Sequence, residues 1–258
     1  MTRDPQNATE IAETYRVGAE AGDAEAMVNL GICYQKGLGV DTDRIKAFEL
    51  FKQAAGEGNA LAIFNLGVCY ERGLGVPVDI NLAVDHYRQA AELDEANAVF
   101  NLGVCYQQGL GVEANMPKAI EYYQRAVDLG EPKAMAHLGL CYQQGNGVPV
   151  DATSAVTLYR RAAEKGDAGA MFALGYCYQN GIGTAENPQQ AAVMYARAIE
   201  RGDTRAMVNL ACCLADGIGV KRDHNEAMKL AKMAKAAGQD GAGKLIEILE
   251  AAQAESEA

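Results

Sequence analysis

Apolar residues recur along this chain at i, i+4 and i+7 and not at every second position. Ala26, Leu30 and Cys33 form one such track, repeated at Ala98, Leu102 and Cys105; Ala47, Phe51 and Ala54 form another, repeated at Ala83, Tyr87 and Ala90. At about 100° per residue each track is one face of a helix. The two tracks alternate, joined by a Gly-x-Gly-Val segment and then a polar turn, and the pair repeats without a gap. Six blocks of equal length, 22–57, 58–93, 94–129, 130–165, 166–201 and 202–237, stand between two short flanks. The pattern predicts an all-α solenoid of helical hairpins.

The polar columns predict where each helix starts and stops. Gly22, Gly58, Gly130, Gly166 and Gly202 open the blocks, and Asp23, Asn59, Asp167 and Asp203 follow them as acceptors for free N–H groups. Paired glycines such as Gly37 and Gly39, or Gly73 and Gly75, end the first helix. Asp43, Asp79, Asn115, Asp151, Asn187 and Asp223 then stand at the N-cap of the second, with Pro188 at a compatible first position. Gly31, Gly67, Gly103, Gly139 and Gly175 lie inside the first helices, where each costs about 1 kcal/mol relative to Ala, so a close helix approach is expected there.

The flanks read as caps of one solenoid domain spanning 1–258: a flexible terminus over 1–8, a cap helix over 9–21, a second cap helix over 238–253 and a polar tail over 254–258. Block six departs from the pattern, with Ala211, Leu214 and Ala231 in place of Gly, Tyr and Tyr.

NLGVCYERGLGV followed by LAVDHYRQAA resembles the Sel1-like repeat family, a relative of the tetratricopeptide repeats, and the resemblance covers residues 9 to about 250. It implies a right-handed superhelix of antiparallel helix pairs, with first helices lining a concave surface, and a role as adaptor or scaffold. The chain departs from the family in having no Trp. Family members with disulfide-stapled repeats carry a cysteine on each helix of the repeat; here the second helices have none.

Composition narrows the chemistry. A net charge of −11 and a pI near 4.8 argue against a nucleic-acid backbone binder and against anionic lipid. No apolar run approaches the roughly 20 residues of a bilayer span and no leader pattern opens the chain, so the cytoplasm is the expected compartment and a monomer the expected state. Cys33, Cys69, Cys105, Cys141, Cys177 and Cys213 share one column. Successive helices at about 8–10 Å are too far apart for disulfides between repeats, so these read as small core residues, while Cys212 lies outside the column. The Gly-x-Gly segments follow helices, not strands, and read as connectors. Two serines and three scattered histidines, His86, His137 and His224, match no nucleophile or metal motif, with His86 expected to be a satisfied helix residue. No enzyme activity, cofactor or metal is expected.

The remaining first-helix face is the candidate binding surface: Glu25, Asn29, Ile32 and Lys36, then Leu61, Asn65, Val68 and Arg72, then Asn97, Asn101, Val104 and Gln108. It continues through Lys133, His137, Leu140 and Gln144, then Gly169, Ala173, Tyr176 and Asn180, then Arg205, Asn209, Cys212 and Asp216. These columns carry more basic than acidic residues in an acidic chain, which points to an acidic or extended peptide or protein segment as partner. The row Asn29, Asn65, Asn101, His137, Asn209 has two readings: bonds between repeats, or register for a bound backbone. Phe64, Phe100 and Phe172 likewise read as inter-repeat core or as a ligand platform. A structural spacer or self-associating scaffold, and more distantly a metal-binding or hydrolytic protein, are the alternatives.

Overall fold

The computed structural model describes the backbone of residues 5–257 and the side chains of residues 7–254. The described residues form fourteen helices and no strand. They gather into two compact units, residues 1–130 and 131–258, where the unbroken period alone predicts a single domain. The first unit holds α1 (Pro5–Glu20), α2 (Ala24–Lys36), α3 (Arg44–Gly56), α4 (Ala60–Arg72), α5 (Ile80–Glu92), α6 (Ala96–Gln108) and α7 (Met116–Asp128). The second holds α8 (Pro132–Gln144), α9 (Ala152–Glu164), α10 (Ala168–Asn180), α11 (Pro188–Glu200), α12 (Ala206–Asp216), α13 (His224–Ala236) and α14 (Ala242–Glu257). Within each unit every helix packs on the next in sequence, so the architecture is an α-solenoid.

The capping columns act nearly as predicted. Asp43, Asp79, Asn115, Asp151, Asn187 and Asp223 each accept a backbone N–H in the first turn of a second helix. Their own N–H groups reach back to the first helix: Asp79 N–H donates to Tyr70 O at 2.9 Å, and each repeat closes its loop likewise. Asp23, Asn59 and Asp167 cap first helices, and so do Glu95 and Glu131, which the sequence reading passed over. Asp203 is the exception: it accepts the N–H and Nε–H of Arg205, and α12 starts only at Ala206 without a side-chain cap. Asp94, where other blocks have Gly, takes the same left-handed conformation at φ 57°.

The glycines inside the first helices hold the core together. Gly67 meets the ring of Tyr87, and a β-carbon there would lie 2.5 Å from Cε1; Gly31, Gly103, Gly139 and Gly175 meet Phe51, Tyr123, Tyr159 and Tyr195 in the same way. These five rings are at most 2% exposed. Burying such a ring is worth about 1.5–3 kcal/mol, more than the roughly 1 kcal/mol that helical Gly costs. Block six makes both changes together, and Ala211 and Ala231 share a fully buried cluster. At the loops, a β-carbon on Gly75 would overlap the Arg44 carbonyl of the preceding repeat, so the second Gly of that connection serves close contact between repeats.

At the ends, α1 begins at Pro5, ahead of the residue-9 start expected for the cap helix, and residues 1–4 of the expected flexible terminus lie outside the described residues. The last helix runs to Glu257, into the segment expected as a polar tail, because its AAQAESE run has good helix formers and no breaker. Ala258 lies outside the described residues.

Candidate functional site

In the first unit the predicted surface residues divide by depth. Glu25, Lys36, Arg72 and Gln108 are exposed, Leu61 is just exposed, and Asn29, Val68, Asn97 and Val104 are half-buried. Asn65 is 8% exposed and its Nδ2 donates to Leu61 O at 2.8 Å, inside its own helix. Asn97 donates to Glu95, the cap of its helix, at 2.8 Å. Asn101 bonds the Tyr87 hydroxyl of the preceding repeat. Asn101 thus bonds between repeats, though to a side-chain hydroxyl, whereas Asn65 bonds inside its own helix.

The hydroxyls account for Asn101 in that row, whereas Phe51, the ring fourteen residues before Asn65, has none. Tyr87 donates to Glu71, sixteen residues earlier in the partner helix of its hairpin, and Tyr123 to Gln107; Tyr159 donates to Gln143 at 2.8 Å and Tyr195 to Gln179 at 2.5 Å. In the second unit Asn209 repeats the Asn101 role, bonding the Tyr195 hydroxyl. Burial pushes all of these phenols that shift far above their ordinary range, so they stay protonated as donors. Phe64, Phe100 and Phe172 pack on Tyr87, Tyr123 and Tyr195 with centroids 5.7, 5.8 and 6.0 Å apart. These phenylalanines thus pack within their own repeats, Phe100 buried and Phe64 and Phe172 half-buried.

The Tyr34 column, next to the buried Cys33 column, is half-buried and packs against second-helix side chains: Tyr70 on His86, stacked at 5.5 Å, and Tyr106 on Tyr122 at 5.4 Å. His86 was expected to be satisfied, yet its Nδ1 is buried with no hydrogen-bond partner; the ring stacks on Tyr70, which covers its face and offers no partner in the ring plane. His224 is the first residue of α13, and its Nε2 is likewise buried without a hydrogen-bond partner. All seven cysteines are free; the six in the common column are buried and Cys212 is half-buried. Among the described residues no three His, Cys, Asp or Glu side chains converge as a metal set.

The second unit has a cleft of about 380 Å³ on its first-helix face. Lys133, His137, Tyr176 and Arg205 of the predicted surface meet there, all exposed; Gln144 and Asn180 are exposed outside it, Asn180 bonding Tyr176 O at 2.9 Å. Three small residues open it: Ala136 where neighbours have Phe, Ala173 between His137 and Asn209 in its column, and Gly169 in a column of longer side chains. Tyr159 and Gln143 lie among its lining, with Leu140 and Phe172 as apolar wall. The Arg205 guanidinium sits 4.7 Å from the Phe172 ring centroid while its Nε donates to Asp203 at 2.9 Å, which fixes the cation at the rim. Asp167, the cap of α10, is the single carboxylate lining the cleft against Lys133 and Arg205. Burial lowers the His137 pKa below 6.5 against the opposing pull of Asp167, with Lys133 adding to the lowering, so the imidazole is mostly neutral at pH 7. Sequence reasoning found the rim but missed the cleft, since Ala136, Gly169 and Ala173 carry no chemistry of their own.

A family model, the Sel1 repeat, matches residues 24–59, 60–95, 96–131, 132–167, 168–203 and 204–239. Its phase is shifted by two residues from the blocks read off the sequence. A Sel1 repeat protein from Oxalobacter formigenes shares 36% identity, covering 90% of this chain and 96% of that one, with a TM-score of 0.82. A protective antigen of uropathogenic Escherichia coli with an SLR fold shares 32% identity and a TM-score of 0.74; 90% of this chain matches, and that spans half of the antigen's length. An immunity protein from Pseudomonas aeruginosa, 20% identical over 88% of this chain and 82% of its own, shares the fold with a TM-score of 0.57. A comparison with curated protein sequences gave no match.

Proposed function

The chain belongs to the Sel1-repeat family, whose members generally act as protein–protein interaction scaffolds, and from that premise we propose that it is a non-catalytic adaptor that holds an acidic segment of a protein partner on its first-helix face. The observation that carries this reading is the 380 Å³ cleft in the second unit, edged by Lys133 and Arg205 in a chain of net charge −11. Exposed cations beside an apolar recess suit a segment that presents carboxylates and apolar side chains together. In the first unit Lys36 and Arg72 extend the same chemistry from the C-terminal turns of α2 and α4. The columns that build the core recur in every repeat, so discrimination between partners falls to the columns that vary, above all Glu25, Leu61, Asn97, Lys133, Gly169 and Arg205.

The reading is tested by cross-linking pull-down from source lysate with the whole chain as bait, against a variant combining Arg72→Glu, Lys133→Glu and Arg205→Glu, once circular dichroism shows equal helix content. The expected result is a specific partner kept by the parent and lost by the variant. Identical partners on both baits would overturn the reading and move the search to the second-helix face or to self-association.

A further inference from the structure

The buried tyrosines of the second helices are not all satisfied alike. Tyr87 donates to Glu71 and is bonded by Asn101 of the next repeat; Tyr195 donates to Gln179 and is bonded by Asn209. Tyr159 is 2% exposed and donates to Gln143 at 2.8 Å, but the position that should supply the second bond is Ala173, and no other described side chain takes its place. Tyr159 is thus among the residues lining the cleft, and its hydroxyl, bonded to Gln143, keeps acceptor capacity that no described side chain uses. The same substitution that removes the donor also removes the side chain that would block access.

Resting on the reading above, we propose that the cleft receives an aromatic side chain carrying a hydrogen-bond donor, tryptophan or tyrosine, from an extended partner segment in which an acidic residue stands beside that ring. The ring lies against Leu140, Phe172 and Tyr176, its N–H or O–H donates to Tyr159 Oη in place of the missing Asn, and the neighbouring carboxylate meets Lys133 and Arg205. The volume falls in the range of about 300–1,000 Å³ usual for ligand sites, and buried aromatic anchors flanked by charge carry most of the energy of small interfaces. Arg205 is already paired with Asp203 and Asp167 is engaged at Ala170 N–H, so Lys133, which has no ion-pair partner among the described residues, sets the sign of the partner.

The test uses the whole ¹⁵N-labelled chain and three capped tripeptides, acetyl-Asp-Trp-Asp-amide, acetyl-Asp-Phe-Asp-amide and acetyl-Lys-Trp-Lys-amide, followed by NMR titration. The Asp-Trp-Asp probe is expected to shift Gly169, Ala173 and the Gln143 side-chain amide, and to bind roughly fivefold to tenfold more tightly than either of the others, the worth of one hydrogen bond or one charge contact. Ala173→Asn restores the donor that four other repeats have, and Ala136→Phe restores the ring; each is expected to keep the fold and weaken the Asp-Trp-Asp probe at least about tenfold. Tyr159→Phe is expected to erase the preference for Trp over Phe. Equal binding of the Trp and Phe probes to the parent, unchanged binding to both cleft-filling variants, or no shifts at these residues would overturn the proposal. Those outcomes with a partner still lost on charge reversal would leave the adaptor reading standing without this cleft. A dimer in sedimentation that Ala173→Asn dissolves would overturn it in favour of a second copy of the chain.

Discussion

Gly67 and Tyr87 are fitted to each other: the missing β-carbon of one is the space occupied by the ring of the other, 2.5 Å from where that carbon would lie. Gly67→Ala is therefore expected to destabilise by about 1–3 kcal/mol through overpacking, although Ala is the better helix former. Tyr87→Ala alone is expected to cost roughly 3–5 kcal/mol. The double substitution copies the Ala211 and Ala231 pair of block six, and it is expected to cost less than the sum of the singles by at least about 0.5 kcal/mol. Urea unfolding of the four chains measures the cycle; strict additivity would refute the pairing.

The tyrosine hydroxyls rank by the partners they would abandon. Tyr87→Phe strands both Glu71 and Asn101, with an expected cost of about 1–3 kcal/mol, whereas Tyr159→Phe strands only Gln143 and is expected to cost about 1 kcal/mol or less. Equal losses in urea titrations of the two variants would contradict the missing tie at Ala173.

Burial raises the column thiols, Cys69, Cys105 and Cys177 to about 11, and raises Cys212 as well. At neutral pH all remain protonated and slow to alkylate. Cys212, half-buried where the others are buried, is expected to be modified by iodoacetamide first, and the remaining six only as the chain unfolds. Peptide mass spectrometry over time resolves the order.

Burial against Tyr70 lowers the His86 pKa from 6.5, with Asp85 opposing. Because the folded value lies below the unfolded one, His86 contributes its full stability above about pH 6.5 and loses it as pH falls through the folded value. Stability is expected to drop as pH falls below the ordinary imidazole value of about 6.5 and through the lower folded value, and less so in His86→Tyr, which places at this position the ring that Tyr122 supplies in the next repeat. A drop of the same size in both chains, measured by denaturant midpoints, would remove His86 as its source.

The period, the hairpins and all six second-helix caps were legible in the residues because each rests on local chemistry: a Gly that turns left-handed, an Asp that accepts an N–H three residues on. The helical glycines were legible as a cost awaiting a return, and Tyr87 and its counterparts supplied it. What local chemistry could not show was polar pairing between helices, sixteen residues apart for Tyr87 with Glu71 and fourteen for Asn101 with Tyr87, so the spacing of the Asn row could not say what its members bond. The cleft was illegible for a different reason. It is made by what Ala136, Gly169 and Ala173 lack, and three small residues in three separate columns become one space only when α8, α9 and α10 are packed. Asp203 failed as a cap because Arg205, two residues on, took its carboxylate.

A linear array under tension parts at its least fastened junction. In the second unit the step from α11 to α12 is riveted by Tyr195 with Asn209 and by Arg205 over Phe172, and Gln239 ties Thr204 to the turn beyond α13 at 2.8 Å. At the step from α9 to α10 Arg160 reaches the Tyr178 hydroxyl at 3.4 Å but the tie at Ala173 is missing, so a guest bonded to Tyr159 would add the rivet that Asn209 provides one step on, and would be felt as a stiffer thread.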